Sequence, residues 1–328
     1  MPGARITAVG CYTPPRTLTN DDLSHMVETT DKWILERTGI RTRCIADPDM
    51  ATSDMAIAAS RVALDQAGVA PSEIDAILCC TVTPDHMFPA TACLVQHGIG
   101  ANRAWGFDIS AACSSFVYGL TTAAHLVAGG SHKKVLVVGS DTMSRIIDYT
   151  DRATCVLFGD GAGAMIVEAA EDGDPNTYIG CANEIDGSGA AALRMPAGGS
   201  RMPPTRDTVD QRLHFVKQDG QAVFKFAVRK MYDACRRVLE EHNLTADDVK
   251  ILIPHQANRR IICAAGERLG VKEVLINIEK YGNTTAATIP LATRDALEQG
   301  RLKQGDLVLF AAVGAGFTVG ANLWRWAY

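Results

Sequence analysis

One structural unit is written twice in this sequence, and the duplication constrains the fold more than any other feature. A helical pattern leads through a short polar turn into an apolar strand in each half: DMAIAASRVALDQAGV precedes EIDAILCC, and KMYDACRRVLEEHNL precedes DVKILIPH. A further helix and apolar strand follow in both, ending in KKVLVVGSD and in GDLVLFAAVG. Apolar strands alternating with amphipathic helices predict parallel sheets covered on both faces. Two copies therefore predict two α/β layers packed against each other.

The two halves are expected to divide near residue 170. Residues 1–170 would form the first half and residues 171–328 the second. Between the two units, DRATCVLFGDGAGAMIVEAA indicates two strands joined by a glycine-rich turn. Residues 186–220 are rich in Gly, Ala, Pro and Arg and follow neither period, which predicts a long loop over the functional site.

Composition excludes several classes of protein. The 328 residues are 47% hydrophobic and 21% charged, as is typical of soluble globular proteins. A net charge of −5 without a long basic run argues against a nucleic-acid partner. There is no membrane-span or signal-peptide pattern, so we expect a cytoplasmic protein with no membrane partner. Ten cysteines without a CxxC pair predict neither a metal site nor a disulfide framework.

Cys113 is the first candidate functional residue. It lies in FDISAACSSFVYGLTTAAHLVAG, where a short strand gives way to small residues and then to a helical pattern, so its thiol is expected at a helix N-terminus. Unpaired N–H groups and the helix macrodipole favour a thiolate there, and such sites lower a cysteine pKa from about 8.5 to about 3.5–7.5. The alternative is a small buried hydrophobe, which the local pattern alone favours.

His255 and Asn283 are the next candidates, because the duplication relates them to the first half. Laid together, the two units set His255 opposite Cys80 at a strand end and Asn283 opposite Cys113 at a strand-to-helix junction. Ligands bind at the strand ends of α/β sheets. Taken singly, His255 would be a hydrogen-bonded structural residue and Asn283 a helix N-cap. An N-cap role would explain Asn283 alone. It would not explain why Cys113, His255 and Asn283 all fall at positions that the duplication relates.

Two glycine-rich turns are less specific indicators of function. Gly314-Ala315-Gly316 is similar to a dinucleotide-binding loop, but no helix follows it. The other interpretation is a turn that brings backbone N–H groups close to a reacting carbonyl. FGDGAGA is not expected to be a phosphate-binding loop, because a strand and not a helix follows it.

Together these motifs resemble the β-ketoacyl-acyl-carrier-protein synthase III family of condensing enzymes in the thiolase superfamily. The likeness rests on AACSS, PHQAN, YGNTT and VGAGFTVG and extends from DKWILERTGIRTR through FGDGAGA to the C-terminus. It implies a duplicated thiolase-like fold, with two βαβ-type halves packed as a layered α-β-α-β-α sandwich, and a homodimer.

The resemblance also implies a ping-pong reaction that begins fatty acid synthesis. An acyl-CoA, often acetyl-CoA, acylates the cysteine, and malonyl-acyl-carrier protein condenses with the acyl group after losing CO₂. Cys113, His255 and Asn283 match the family's catalytic triad, and the N–H groups of Cys113 and Ala315 match its oxyanion hole. Acyl-CoA is a substrate in this scheme, and no cofactor is permanently bound.

The family's binding residues have matches as well. The matched sets are Trp33, Arg37 and Arg152 for CoA, Phe88 for limiting the acyl pocket from the partner subunit, and Lys225, Arg260 and Arg268 for docking the carrier protein. A Trp and an Arg suit a nucleobase held between flat groups, and a basic patch attracts an acidic carrier. The plain alternatives are a partly buried Trp, core packing of Phe88 and a solvated basic helix face.

Three positions depart from the family pattern. Ala315 stands where Gly is usual, Ser115 replaces a common Gly, and Glu267 stands where a docking residue is often basic. An alanine held at positive φ would cost roughly 1 kcal/mol. These departures leave open a secondary-metabolism relative that acylates another acceptor.

Two other functions are alternatives on separate grounds. Cys, His and Asn in that order also occur in papain-like cysteine hydrolases, whose CGSCW-type signature is absent here, so a cysteine thioester hydrolase is one alternative. The other is a non-catalytic partner subunit, which would be expected to lack the nucleophile.

Overall fold

The structure, a computed structural model, describes residues 3–328. Its strands are β1 (Ala4–Tyr12), β2 (Thr17–Thr19), β3 (Thr42–Cys44), β4 (Ala76–Cys80), β5 (Trp105–Ile109), β6 (Lys134–Asp141), β7 (Gly161–Ala169), β8 (Tyr178–Ile185), β9 (Leu193–Arg194), β10 (Lys217–Gln218), β11 (Ile251–Pro254), β12 (Leu307–Gly314) and β13 (Thr318–Arg325). Its α-helices are α1 (Asn20–Ser24), α2 (Asp31–Thr38), α3 (Thr52–Ala67), α4 (Thr91–Ile99), α5 (Ser115–Ala128), α6 (Arg152–Cys155), α7 (Arg206–Asp210), α8 (Gly220–Glu241), α9 (Arg259–Leu269), α10 (Ile278–Tyr281) and α11 (Thr288–Glu298).

Two sheets of matching strand order confirm the predicted duplication, although the first has five strands and the second has four, without a counterpart of β5. The first has the strand order β1-β7-β6-β4-β5, and the second has the order β8-β13-β12-β11. The pairing registers match: Ala76 of β4 pairs with Val135 of β6, as Ile251 of β11 pairs with Val308 of β12. By the same count, Cys80 and His255 occupy equivalent strand-end positions, as the sequence predicted.

The expectation of parallel sheets is correct for only part of each sheet. β4 is parallel to β5 and β6, and β11 is parallel to β12. In contrast, β7 is antiparallel to β6 and β1, and β13 is antiparallel to β12 and β8. In the second sheet the cause is the short turn between Gly314 and Thr318, which can join only antiparallel neighbours.

Five layers result, in the order α-β-α-β-α. Helices α5 and α11 lie between the sheets, where α5 contacts β6 and β13 and α11 contacts β1 and β11. Helices α3 and α4 cover the outer face of the first sheet, and α8 and α9 pack together over the second. The central layer is the largest core, with fully buried side chains such as Phe116 and Phe310. We propose the boundary between the halves at residue 170, just after β7.

Two local expectations differ from the structure. DRATC forms the short helix α6 instead of a strand, because the Asp151 side chain caps it by accepting the N–H of Ala153. The only strand-like pairing of the next residues is an isolated bridge from Phe158 to Asn283. Residues 186–220 are largely irregular as expected, but they also contain α7 and the β9–β10 ladder.

Residues 3–328 contain neither a membrane-spanning helix nor a cluster of metal-binding side chains. No helix there is both long and apolar enough to cross a membrane. No group of three or more His, Cys, Asp or Glu side chains in that range is arranged to hold a metal ion. The ten cysteines are all free thiols.

Candidate active site

Cys113 lies at the junction between β5 and α5, as the sequence predicted. A 3₁₀ turn spanning Ala112–Ser114 leads directly into α5, and Ala112 has a left-handed backbone with φ of 49°. Left-handed conformations of non-glycine residues are costly and cluster at functional sites. Cys113 is 6% exposed and lines a cavity of about 610 Å³.

The thiol is not a thiolate at rest, which corrects the expectation of a lowered pKa. Burial raises the pKa of Cys113 to about 12, and the negative charge of Asp141 acts in the same direction. A helix N-terminus contributes about 0.3–2 kcal/mol, and one pKa unit corresponds to about 1.4 kcal/mol. The helix effect is therefore at most about 1.5 units, smaller than the rise caused by burial.

His255 follows the last residue of β11, and its backbone N–H donates to the Ala311 carbonyl (2.7 Å). Its ring is buried, which lowers the pKa of His255 to about 3 and keeps the imidazole neutral. Nδ1 lies 2.7 Å from the Thr288 hydroxyl oxygen. Nε2 is buried and has no hydrogen-bond partner within residues 3–328, although His255 lines the cavity. The ring is thus anchored at one nitrogen and free for a ligand at the other.

Asn283 lines the same cavity, but its alignment with Cys113 was wrong by three residues. The second-half counterpart of the 3₁₀ turn at 112–114 is the turn Thr285–Ala287, which leads into α11 as the first leads into α5. Thr285 has φ of 48°, almost the value at Ala112. The structural counterpart of Cys113 is therefore Ala286. Asn283 precedes the turn, and its Oδ1 accepts the backbone N–H of Thr285 (2.9 Å).

The cavity brings together most of the predicted site. The predicted residues that line it are Cys113, His255, Asn283, Trp33, Arg37, Lys225 and Arg260. The irregular segment predicted over the site also reaches it, through Leu193 and Gln218. Phe158 and Phe224 contribute apolar surface to the wall of the cavity. The cavity therefore combines a nucleophile, two polar side chains and an apolar surface.

Trp33 and Arg37 line this cavity, and Arg152 lies against Trp33 without lining the cavity. The Thr30 hydroxyl caps α2 by accepting the N–H of Trp33, which fixes the half-buried indole. The guanidinium carbons of Arg152 and Arg37 lie 5.0 Å and 5.3 Å from the Trp33 ring centroid. These cation–π contacts form a flat, positively charged surface suited to a nucleobase and its phosphates.

The turn before β13 packs directly against the nucleophile's backbone. The Thr318 hydroxyl donates to the Ala111 carbonyl (2.8 Å), and a Cβ on Gly314 would lie 2.8 Å from the backbone N of Cys113. The positive φ of this turn falls on Gly316 (136°). The non-glycine residues with positive φ in residues 3–328 are Ala112, Arg212, Asn243 and Thr285. Ala315 therefore carries no left-handed strain, contrary to the concern raised by the sequence.

The remaining predicted residues lie on the surface. Phe88 is 86% exposed, which rules out its packing in the core of this chain. Arg268 is exposed and stacks on Tyr232 (4.2 Å) without lining the cavity, and Glu267 beside it is also exposed. The third departure from the family pattern, Ser115, is buried, and its hydroxyl donates to the Ala112 carbonyl (2.6 Å).

Sequence reasoning missed Asp141, which joins the two halves beside the site. This fully buried carboxylate ends β6. Oδ1 accepts the N–H of Val82 (2.8 Å), and Oδ2 accepts the hydroxyl of Thr285 and the N–H of Ala286 (3.2 Å). A charged residue at the end of the apolar run KKVLVVGSD was the available signal.

Comparisons with known proteins agree with this architecture. The family model of 3-oxoacyl-[acyl-carrier-protein (ACP)] synthase III matches residues 107–187, and its C-terminal model matches residues 239–326. The β-ketoacyl-[acyl-carrier-protein] synthase III of Solibacter usitatus is 68% identical, with all of both chains covered. The crystal structure of the Aquifex aeolicus 3-oxoacyl-[acyl-carrier-protein] synthase III has a TM-score of 0.91 at 42% identity, covering 99% of this chain and 100% of the other. A priming β-ketosynthase from a polyketide pathway has a TM-score of 0.92 at 36% identity, covering 99% and 97%.

The duplicated layered fold and the cysteine-lined cavity define the class: this is a thiolase-like condensing enzyme. The curated relative matches along the whole chain and is far more than 30% identical. The chain belongs to the β-ketoacyl-[acyl-carrier-protein] synthase III family.

Proposed function

We propose that this enzyme condenses an acyl-CoA primer with malonyl-acyl-carrier protein, releasing CO₂ and forming a 3-oxoacyl-acyl-carrier protein that initiates fatty acid synthesis. Acetyl-CoA is the primer we expect. One observation carries the proposal: His255 pairs with Thr288, and Asn283 pairs with Thr285, so Asn283 does not orient His255. In a cysteine hydrolase the asparagine would hold the histidine, whereas here both residues line the cavity independently.

The first half-reaction transfers the acyl group to Cys113. The sulfur of Cys113 attacks the thioester carbon of acyl-CoA, and the carbon–sulfur bond to CoA breaks. The proton lost by the Cys113 thiol balances the proton gained by the CoA thiol. Because the resting thiol is neutral, this proton must leave as the new bond forms.

Stabilisation of the oxyanion is assigned to the backbone. We place the N–H groups of Cys113 and Ala315 around the carbonyl oxygen as it becomes negative. The packing of Gly314 against Cys113 supports this placement, because it fixes the two segments relative to each other. Neither N–H donates to another backbone group within residues 3–328, so both are available to a ligand.

The second half-reaction uses the other two polar residues. Malonyl-acyl-carrier protein loses CO₂, and the electron pair left behind forms an enolate whose oxygen would accept hydrogen bonds from His255 Nε2 and Asn283 Nδ2. The enolate carbon then attacks the acyl thioester on Cys113. The released sulfur takes up one proton and regenerates the thiol. Donors of this kind are worth about 10²–10³ in rate.

Substrate binding follows from the surface around the cavity. We assign CoA to Trp33, Arg37 and Arg152, whose cation–π contacts supply a stacking surface and positive charge. Lys225 and Arg260 are exposed beside the same cavity and would attract an acidic carrier protein. Arg268 extends this patch along α9, and Glu267 weakens it.

The proposal includes a homodimer in the cytoplasm that needs no resident cofactor. Phe88 and Met87 are 86% and 80% exposed, which supports their burial by a partner subunit. The chemistry written above needs neither a redox group nor a metal, because loss of CO₂ generates the carbon nucleophile.

The decisive test is acylation of Cys113 by acyl-CoA. Wild-type protein incubated with acetyl-CoA should gain the mass of one acetyl group, and Cys113→Ala should gain none, as measured by intact-protein mass spectrometry. Cys93→Ala is the matched control, because Cys93 is exposed and lies outside the cavity. An acyl adduct that persists on Cys113→Ala would overturn the assignment. A panel of acyl-CoAs tested with malonyl-carrier protein and malonyl-CoA would then define primer and acceptor.

A further inference from the structure

The Thr288 hydroxyl is the single side-chain partner of the His255 ring in the described chain. Its oxygen lies 2.7 Å from Nδ1 and also 2.9 Å from the Thr285 carbonyl oxygen. A hydroxyl has one proton and can donate to only one of these two acceptors. The direction of this bond decides which nitrogen of a neutral imidazole carries the ring proton.

We propose that Thr288 is a positioning residue that donates its hydroxyl proton to Nδ1 of His255, so that the ring carries its own proton on Nε2, facing the cavity. The proposal rests on the proposed function, because an Nε2 proton is what an enolate oxygen would accept. If Nδ1 instead carried the proton and donated it to the Thr288 oxygen, a lone pair on Nε2 would face the enolate oxygen and repel it.

The surroundings of Thr288 support this direction. The Thr285 carbonyl already accepts the backbone N–H of Thr288, so it keeps a partner when the hydroxyl turns to His255. Nδ1 has no other partner within residues 3–328, so the Thr288 hydroxyl is the one donor available to it there.

The hydroxyl is held rigidly. Thr288 is the first residue of α11 and is buried. The preceding turn is fixed because the Thr285 hydroxyl donates to the buried carboxylate of Asp141. The same turn orients Asn283 through the Thr285 N–H. Thr288 and Thr285 therefore orient the two side chains that would stabilise the enolate.

The test compares Thr288→Val, which removes the hydroxyl at nearly constant volume, with Thr288→Ser, which restores it. Thr293→Val is the matched control: Thr293 is a buried residue of the same helix, and its hydroxyl donates to the Ile289 carbonyl (2.8 Å). We expect Thr288→Val to lower kcat for malonyl-thioester decarboxylation about 10–100-fold, the range seen when the partner of a metal-binding histidine is removed. KM should change little, and both Thr288→Ser and Thr293→Val should stay near wild type.

Acylation of Cys113 by acetyl-CoA separates this proposal from the proposed function. If wild type is not acylated, the proposed function fails. If Thr288→Val is acylated normally and also decarboxylates normally, only the role of Thr288 fails. Equal losses in Thr288→Val and Thr293→Val would indicate a purely structural role and would likewise overturn it.

¹⁵N NMR of histidine-labelled wild-type protein tests the tautomer without relying on activity or on a variant that folds. We expect the His255 resonances of a neutral ring with a protonated Nε2 and a hydrogen-bonded, unprotonated Nδ1. His255→Ala identifies the signals. A proton on Nδ1 in the wild-type enzyme would refute the proposed direction of the hydrogen bond.

Discussion

Gly314→Ala is the sharpest perturbation of the nucleophile that leaves every predicted catalytic side chain in place. A Cβ at this position would lie 2.8 Å from the backbone N of Cys113, 2.8 Å from the Ala111 carbonyl oxygen and 2.7 Å from the Thr318 hydroxyl. Two of these three neighbours are backbone atoms, which no side-chain rotation can move away. Either the turn before β13 or the backbone of Cys113 must shift.

The size of the shift follows from the contact distances. Ordinary van der Waals contact for a Cβ begins at 3.4 Å, so the backbone of Cys113 and the turn must separate by roughly 0.6 Å. Overpacking of this kind costs about 1–3 kcal/mol of stability. A misplacement of about 1 Å at reacting groups can cost about 10²-fold in rate. We therefore expect acylation of Cys113 to fall about 10–100-fold with a loss of only a few degrees in Tm.

The assay is the rate of acylation by acetyl-CoA, followed by intact-protein mass spectrometry, together with Tm from calorimetry. Gly187→Ala is the matched control, because Gly187 is exposed and a Cβ there would meet nothing within 4 Å. The control should keep wild-type rate and Tm. Wild-type acylation by Gly314→Ala would refute the reasoning, since it would mean that the turn does not fix the position of the nucleophile.

Three further outcomes are expected. Asn283→Ala should lower decarboxylation of a malonyl thioester about 10²–10³-fold while sparing acylation of Cys113, measured as separate half-reactions; equal losses in both would contradict its separate role. Trp33→Ala should raise KM for acetyl-CoA about 5–30-fold through loss of about 1–2 kcal/mol of stacking, leaving KM for the malonyl substrate unchanged in steady-state kinetics. Since burial raises the pKa of Cys113 to about 12, its alkylation by iodoacetamide should accelerate about tenfold per pH unit between about pH 7 and 10 by peptide mass spectrometry, and a plateau below about pH 9 would contradict that pKa.

The repeated pattern of helices and strands was readable from the sequence because apolar periodicity directly reports which faces are buried. The alignment of Cys113 with Asn283 failed because it matched polar residues at a junction. The true correspondence is set by backbone conformation, through Ala112 and Thr285, and neither residue is a glycine that would mark a left-handed position. The sequence therefore identified the junction but not its register.

The electrostatics of the site could not be predicted in the same way. The sequence indicates that Cys113 precedes a helix, but its pKa depends on how completely the thiol is buried and on a carboxylate 28 positions later in the chain. The role of Thr288 could not be predicted for a similar reason, because nothing in the sequence distinguishes this threonine from others in a helical pattern. Its role depends on the proximity of His255, 33 residues away.

The duplication gives an independent argument for the proposed oxyanion hole. By the pairing register, Asp141 at the end of β6 is the counterpart of Gly314 at the end of β12, and Ala286 is the counterpart of Cys113. In the second half, the N–H of Ala286 donates to the carboxylate of Asp141. That turn therefore already binds a carboxyl oxygen supplied by the protein itself.

In the first half, the equivalent N–H belongs to Cys113, and the equivalent position across from it is Gly314, which has no side chain. The same backbone geometry is kept, as the φ values of 49° and 48° at Ala112 and Thr285 show. A turn that binds a carboxylate oxygen in one half has the geometry to bind a substrate oxyanion in the other, provided that nothing fills the space. Glycine at 314 lets the turn pack closely against the Cys113 N–H, and a methyl group there would lie 2.8 Å from that nitrogen, so Gly314→Ala should affect the chemistry more than the fold.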